Sequence, residues 1–164
     1  MIYVKLYLKR DKTDENSRYI VFDENGDEKY RIVGKRSTST ERIYIMFGDT
    51  CVAKIKDTHL GPMRSCSVTT QDGSFHIVIT CSKDKIAITY HRAQFHIRGD
   101  VLNKSYDILD VANSVVACIS RRFKTSSETL ELNIYMQKYE ILCISSALCL
   151  NNICMNDTLA LQAT

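Results

Sequence analysis

Apolar and polar residues alternate along most of the chain, starting within its first ten residues. Val4, Leu6 and Leu8 would share one face of a strand, because successive side chains of a strand point to opposite faces. About twelve short runs follow this period of two. They cover residues 2–8, 18–22, 29–33, 42–47, 51–55, 66–69, 75–79, 86–90, 95–98, 106–109, 115–119 and 129–135.

Turn signals separate these runs. Asn25-Gly26, Gly48-Asp49 and Asp72-Gly73 each lie between two of them, and such pairs supply the positive φ angles that tight hairpins need. No amphipathic helical stripe lies between the runs, which excludes a parallel βαβ architecture. Short strands at this spacing are typical of an all-β sandwich or barrel, and the pattern predicts an antiparallel meander.

The pattern changes at residue 140. Residues 141–150 are apolar on almost every side of a helix and contain no Gly or Pro, and no Lys or Arg occurs from Tyr139 to Thr164. Such a helix must be buried on all sides, either in a protein core or in lipid. A membrane span needs about 20 apolar residues, and here Asn151 and Asn152 interrupt the run well before that length.

Burial inside a barrel therefore explains the segment better than a membrane anchor at the tail. A helix over about residues 140–156 would be about 25 Å long at about 1.5 Å per residue, and it would cover the inward apolar faces of the strands. The predicted fold class is mainly β. It comprises about twelve antiparallel strands in a closed barrel around a central hydrophobic C-terminal helix.

With twelve strands followed by one hydrophobic C-terminal helix, the chain resembles the LURP-one-related proteins. These proteins have the tubby C-terminal-like fold and look distantly similar to phospholipid scramblases. The resemblance rests on residues 18–26, 30–35, 95–100, 106–108 and 116–117, together with the terminal run 140–155. It implies a single domain over residues 1–164. Tubby-type relatives are membrane-surface adaptors that bind phosphoinositides, whereas small LURP-one-related proteins have no agreed molecular activity.

Composition narrows the class of protein. Hydrophobic residues make up 45% of the chain, and the formal net charge is only +3, which argues against a nucleic-acid-binding protein. The first residues lack the features of a signal peptide, and seven cysteines are an odd number. We therefore expect reduced, buried thiols and a cytoplasmic protein, which could also be peripheral at the membrane.

Motifs for catalysis or cofactor binding are absent from the sequence. There is no Cys-x-x-Cys, no His-Glu-x-x-His and no Gly-x-Ser-x-Gly, and each glycine is isolated at a turn or strand end. The sequence therefore predicts a protein that is not an enzyme, with no catalytic residues, no metal and no cofactor.

Clusters of basic residues are the one feature that suggests a partner. Lys35-Arg36 ends one predicted strand, and Arg121-Arg122 with Lys124 follows another. If the two halves of the chain repeat, these residues would lie near one another at a barrel rim. Clustered cations near anionic lipid contribute about 1 kcal/mol each, so the sequence predicts weak binding to phosphoinositides or an anionic membrane surface.

Two alternative functions stay open from sequence alone. The barrel could be a protein-interaction or structural domain without a small ligand, in which case the basic clusters are a solvated rim. It could also be a lipocalin-like carrier of a hydrophobic ligand, although that function needs an open barrel interior. The oligomeric state does not follow from the sequence.

Overall fold

Twelve strands and one long helix make up the fold in the computed structural model. The structure describes residues 3–13, 17–36, 40–82, 85–122 and 128–162. The strands are β1 (Val4–Arg10), β2 (Ser17–Phe22), β3 (Glu28–Arg36), β4 (Thr40–Phe47), β5 (Thr50–Leu60), β6 (Met63–Thr70), β7 (Gly73–Ser82), β8 (Lys85–His91), β9 (Phe95–Asp100), β10 (Ser105–Asp110), β11 (Val115–Arg122) and β12 (Thr129–Ile134). A 3₁₀ helix at Gln137–Tyr139 leads into α1 (Glu140–Gln162).

All twelve strands form one antiparallel sheet that curls into a nearly closed barrel. Strands that follow one another in sequence pair with one another, and β1 pairs with β12 to bring the two ends of the chain together. The exception in the described part of the chain is β8 beside β9, which are the two edges of the sheet. The predicted antiparallel barrel is confirmed, with a seam between β8 and β9.

The barrel has two ends, which we call the upper and lower rims. The turns after β4, β6 and β10 lie at the upper rim, and the turns after β5 and β9 lie at the lower rim. Between the rims, the alternation of the sequence becomes an alternation of burial. Leu8, Val21 and Leu130 occupy one cross-strand row and are each at most 2% exposed.

Helix α1 runs through the middle of the barrel, as the sequence predicts. It begins at the predicted residue and continues to Gln162, beyond the expected end at 156. Residues 143–150 are all at most 2% exposed. No helix in the described ranges combines the length and the apolar character needed to cross a membrane.

Polar contacts fix the helix against several sides of the barrel. Glu140 accepts a hydrogen bond from Tyr30 at the upper rim, and burial together with this bond raises the pKa of the Tyr30 phenol. Tyr90 Oη donates to Ser146 Oγ at 2.7 Å half-way along. Asn151 Nδ2 donates to Tyr19 Oη at 3.2 Å near the lower rim. These bonds set the rotation and depth of an otherwise apolar helix.

Strand β5 is longer than the sequence suggests, because it carries a buried ion pair. The prediction ends it at residue 55, whereas the strand continues to Leu60. Asp57 faces the barrel interior and accepts a bifurcated hydrogen bond from Arg64 Nε, at 2.9 Å to Oδ1 and 3.0 Å to Oδ2, and a further hydrogen bond from Arg64 Nη2 to Oδ2. Both residues are at most 3% exposed, so each needs an opposite charge beside it. The ion pair supplies that charge and allows the strand to continue through these buried positions.

Candidate functional site: a basic depression on the barrel wall

Four of the five predicted basic residues end strands at the lower rim, but they do not form one cluster. Lys35 and Arg36 end β3, and Arg121 and Arg122 end β11. Three strands, β2, β1 and β12, separate the two pairs. Lys124 lies outside the described residues.

Arg121 and Arg122 point to opposite faces of the sheet, as neighbours in a strand must. Arg121 is the register partner of Leu130, whose side chain is in the core, and its Nε lies 3.4 Å from Glu128 Oε1. Arg122 lies outside, where its Nε donates to Glu131 Oε2 at 2.6 Å. Both arginines already interact with carboxylates of this chain.

The positive charges beside β12 are neutralised by Glu131. Burial alone would raise the pKa of its carboxyl group, but hydrogen bonds from Arg122 and Lys5 outweigh burial and hold the pKa below its usual value. Lys5 Nζ lies 3.1 Å from Glu131 Oε1. The carboxylate therefore stays charged and compensates two cations at once.

Strands β4 to β8 present a different outer surface, which we call the basic wall. None of its outward positions in the described strands carries a carboxylate. These positions are Thr40, Arg42, Tyr44 and Met46 on β4, Lys54, Lys56, Thr58 and Leu60 on β5, Met63, Ser65, Ser67 and Thr69 on β6, Ser74, His76, Val78, Thr80 and Ser82 on β7, and Lys85, Ala87, Thr89 and His91 on β8.

Three cations of the basic wall surround a shallow depression. Arg42 on β4 is the register partner of Lys56 on β5, and Lys54 lies one outward position further along the same strand. All three side chains are exposed. Directly opposed residues of a sheet have Cβ atoms about 5 Å apart, and diagonal neighbours about 7–8 Å. The depression has a volume of about 340 Å³ and is also lined by Tyr44, Ile55, Ser67 and Thr69.

The depression combines positive charge with hydroxyl groups. Like charges directly opposite one another in a sheet are destabilising, and within the described ranges no ion pair compensates Arg42, Lys54 or Lys56. A bound anion would relieve that repulsion. Guanidinium, ammonium and hydroxyl groups together are the donors that bind phosphate oxygens.

Sequence reasoning missed this site because it searched for cations adjacent in the chain. In a strand, residues i and i+1 face apart, whereas residues i and i+2 share a face. Lys54 and Lys56 are two residues apart, so they share a face, and this spacing is the feature of the sequence that could have identified the site. Lys35 is the one predicted residue on the same cross-strand row, as the register partner of Arg42 on β3.

A second hollow, at the upper rim, has different chemistry. It has a volume of about 400 Å³, and its apolar floor includes Phe75 and Leu142, where α1 enters the barrel. Its lining carries charges of both signs, from Arg92 and Lys138 against Asp72. This mixture does not favour one sign of ligand. In the described ranges, no group of three or more His, Cys, Asp or Glu residues could hold a metal ion.

Comparisons with known proteins agree with the fold. A protein from Arabidopsis thaliana of known X-ray structure superimposes with a TM-score of 0.59 at 12% sequence identity, and 91% of each chain is covered. At that identity, the likeness shows the fold alone. No curated protein matches the chain in sequence. The LURP-one-related family model matches residues 4–151, nearly the whole barrel and the buried part of α1, and the chain therefore belongs to the LURP-one-related family.

Proposed function

We propose that this protein binds phosphorylated lipid headgroups at an anionic membrane surface, through the depression formed by Arg42, Lys54 and Lys56. The observation that carries the proposal is the absence of carboxylates from the outward positions of β4 to β8, with three cations gathered around one hollow. The role is that of a membrane-surface binding module without a catalytic step.

Charge supplies the attraction to the membrane. Each cation near an anionic leaflet contributes about 1 kcal/mol, so three give about 3 kcal/mol, or on the order of a hundredfold in partitioning. The interaction is screened within about 8 Å at physiological ionic strength. Binding should therefore be moderate and should weaken steeply as salt is added.

Shape and hydroxyl groups would supply selectivity among anionic lipids. Arg42 can donate two parallel hydrogen bonds to one phosphate, and the lysines add point charges on the other side of the hollow. Tyr44, Ser67 and Thr69 place hydroxyls along the same lining. A headgroup with several phosphates would use more of these donors than a single phosphodiester, so we expect phosphoinositides to bind more tightly than phosphatidylserine.

The proposed site differs from the basic rim that the sequence suggested. Arg121 and Arg122 form ion pairs with Glu128 and Glu131 of the same chain, so their charge is less available to a lipid. Lys35 stays part of the proposal, because its register position continues the row of Arg42 and Lys56. Arg36 and Lys124 are not assigned to the depression.

Reversing the charge of the depression should abolish membrane binding. In the double variant Lys54→Glu with Lys56→Glu, two attractions of about 1 kcal/mol become repulsions of similar size, a loss of roughly three orders of magnitude. Co-sedimentation with phosphatidylcholine vesicles containing phosphatidylinositol bisphosphate measures it. The variant should fold, because the new carboxylates lie beside Arg42.

The matched control makes the same change in net charge elsewhere. Lys9 and Lys12 are exposed and lie on the β1 side of the barrel, away from the basic wall. Lys9→Glu with Lys12→Glu should keep vesicle binding within a few-fold of the wild-type value. Equal sedimentation of the wild-type protein with neutral and phosphoinositide-containing vesicles at low salt would refute the proposal, and so would equal losses in the two double variants.

A further inference from the structure

The hairpin that carries Lys54 and Lys56 ends in two exposed apolar side chains. Leu60 is 61% exposed and Met63 is 41% exposed, and they are register partners on either side of the turn Gly61-Pro62. Single exposed apolar residues are common on protein surfaces. Two of them side by side at a projecting tip form a small apolar surface that water solvates poorly.

These two residues lie on the same face of the hairpin as the cations. Lys54, Lys56, Thr58 and Leu60 all occupy outward positions of β5, and the partners of the last two, Ser65 and Met63, face outward on β6. Leu60 lies about 13 Å from Lys56 along the strand, at about 3.3 Å per residue. A hairpin tilted into a bilayer can therefore place the tip deeper than the depression while both touch the same membrane.

The tip is held in this position by the rest of the barrel. Gly61 has a φ of +60°, which suits the first central position of a two-residue hairpin turn. Cys81 N donates to Pro62 O at 3.2 Å, which ties the turn to β7. On the inner face, the buried pair of Asp57 with Arg64 joins β5 to β6 just behind the tip. The two apolar side chains are thus presented outward by a braced hairpin.

We propose that Leu60 and Met63 insert into the acyl boundary of the same bilayer whose headgroups occupy the depression. The inference rests on the proposed function and adds to it a fixed orientation of the barrel, with the lower-rim end of β5–β6 against the membrane. The occupant is an anionic lipid bilayer because the face changes from cations to hydroxyls to apolar groups along one hairpin. That order matches the change from headgroup to acyl chain with depth.

Insertion predicts a loss of vesicle binding without a loss of headgroup binding. Leu60→Ser removes apolar surface equivalent to roughly two buried methylene groups, which corresponds to about a tenfold weaker partitioning. Leu60→Ser with Met63→Ser should weaken it by about a hundredfold. The affinity for soluble inositol trisphosphate should stay unchanged, because neither residue lines the depression.

The absence of tryptophan from the chain allows a direct test of depth. Met63→Trp introduces a single fluorophore at the tip, and Val111→Trp places one at the upper rim, where Val111 is 72% exposed. With phosphoinositide-containing vesicles, the fluorophore at position 63 should shift to the blue and be quenched by lipids brominated on the acyl chains. The fluorophore at position 111 should show neither effect.

The possible results separate the two proposals. If inositol trisphosphate and vesicles both fail to bind, the proposed function fails, and insertion fails with it. If both bind but position 63 is not quenched by brominated acyl chains, insertion is wrong and the headgroup site stands. If light scattering shows a wild-type dimer that Leu60→Ser converts to a monomer, the tip joins two copies of the chain, which also contradicts insertion.

Discussion

Ala147→Asp is expected to prevent the protein from folding. Ala147 is fully buried on α1, inside the barrel. A carboxylate there would lose its hydration, at a cost of several kcal/mol even after relaxation. That cost is comparable to the whole stability of a typical domain, about 5–15 kcal/mol. We expect the variant to appear in the insoluble fraction on expression, or to show no cooperative thermal transition by circular dichroism.

An exposed alanine provides the control for this substitution. Ala112 lies at the surface, in the turn between β10 and β11. Ala112→Asp adds the same charge and volume in water, where surface substitutions change stability by about 0.5 kcal/mol or less. If Ala147→Asp melted cooperatively within a few degrees of the wild-type protein, α1 would not be the core of the barrel.

Asp57→Ala is expected to cost about 3–5 kcal/mol of unfolding free energy, because it leaves the buried Arg64 guanidinium without its carboxylate. Chemical denaturation followed by circular dichroism measures the loss. The double variant Asp57→Leu with Arg64→Met removes both charges and should recover most of the stability, since replacing a buried pair by apolar residues is often neutral.

A surface ion pair gives the comparison for this prediction. Glu28 and Arg31 form an ion pair with both side chains about 40% exposed, and Glu28→Ala should cost less than about 1 kcal/mol. The ion-pair account of β5 would be contradicted if Asp57→Ala cost no more than Glu28→Ala. It would also be contradicted if the double variant were as unstable as Asp57→Ala.

Much of the fold could be predicted from sequence because the alternation of apolar and polar residues indicates which side of each strand is buried. The end of β5 could not, since residues 56–60 are mostly polar and Asp57 is acceptable in the core only with Arg64 from the next strand. The end of α1 also differs: the sequence predicts an end at about residue 156, whereas the helix continues to Gln162. Asn151 and Asn152 interrupt the apolar run, but residues 152–162 contain no Gly or Pro to break a helix.

The candidate site was harder to predict because it depends on register. Counting outward from the Gly48-Asp49 turn would pair Arg42 with Ile55, a core residue. A bulge between Ile45 and Met46 shifts the register by one residue, so Arg42 faces Lys56 instead. A one-residue shift moves a side chain to the other face of a sheet, and hydrophobic patterning alone does not locate such a bulge.

The most direct test of the headgroup site is a titration of the ¹⁵N-labelled protein with inositol trisphosphate, followed by amide chemical shifts. We expect the largest shifts at Arg42, Lys54, Lys56 and their register neighbours Ser67 and Thr69, with saturation that weakens as salt is added. Shifts centred on Arg121 and Arg122, or no saturable shifts at millimolar ligand, would contradict the assignment of the basic wall as the binding surface.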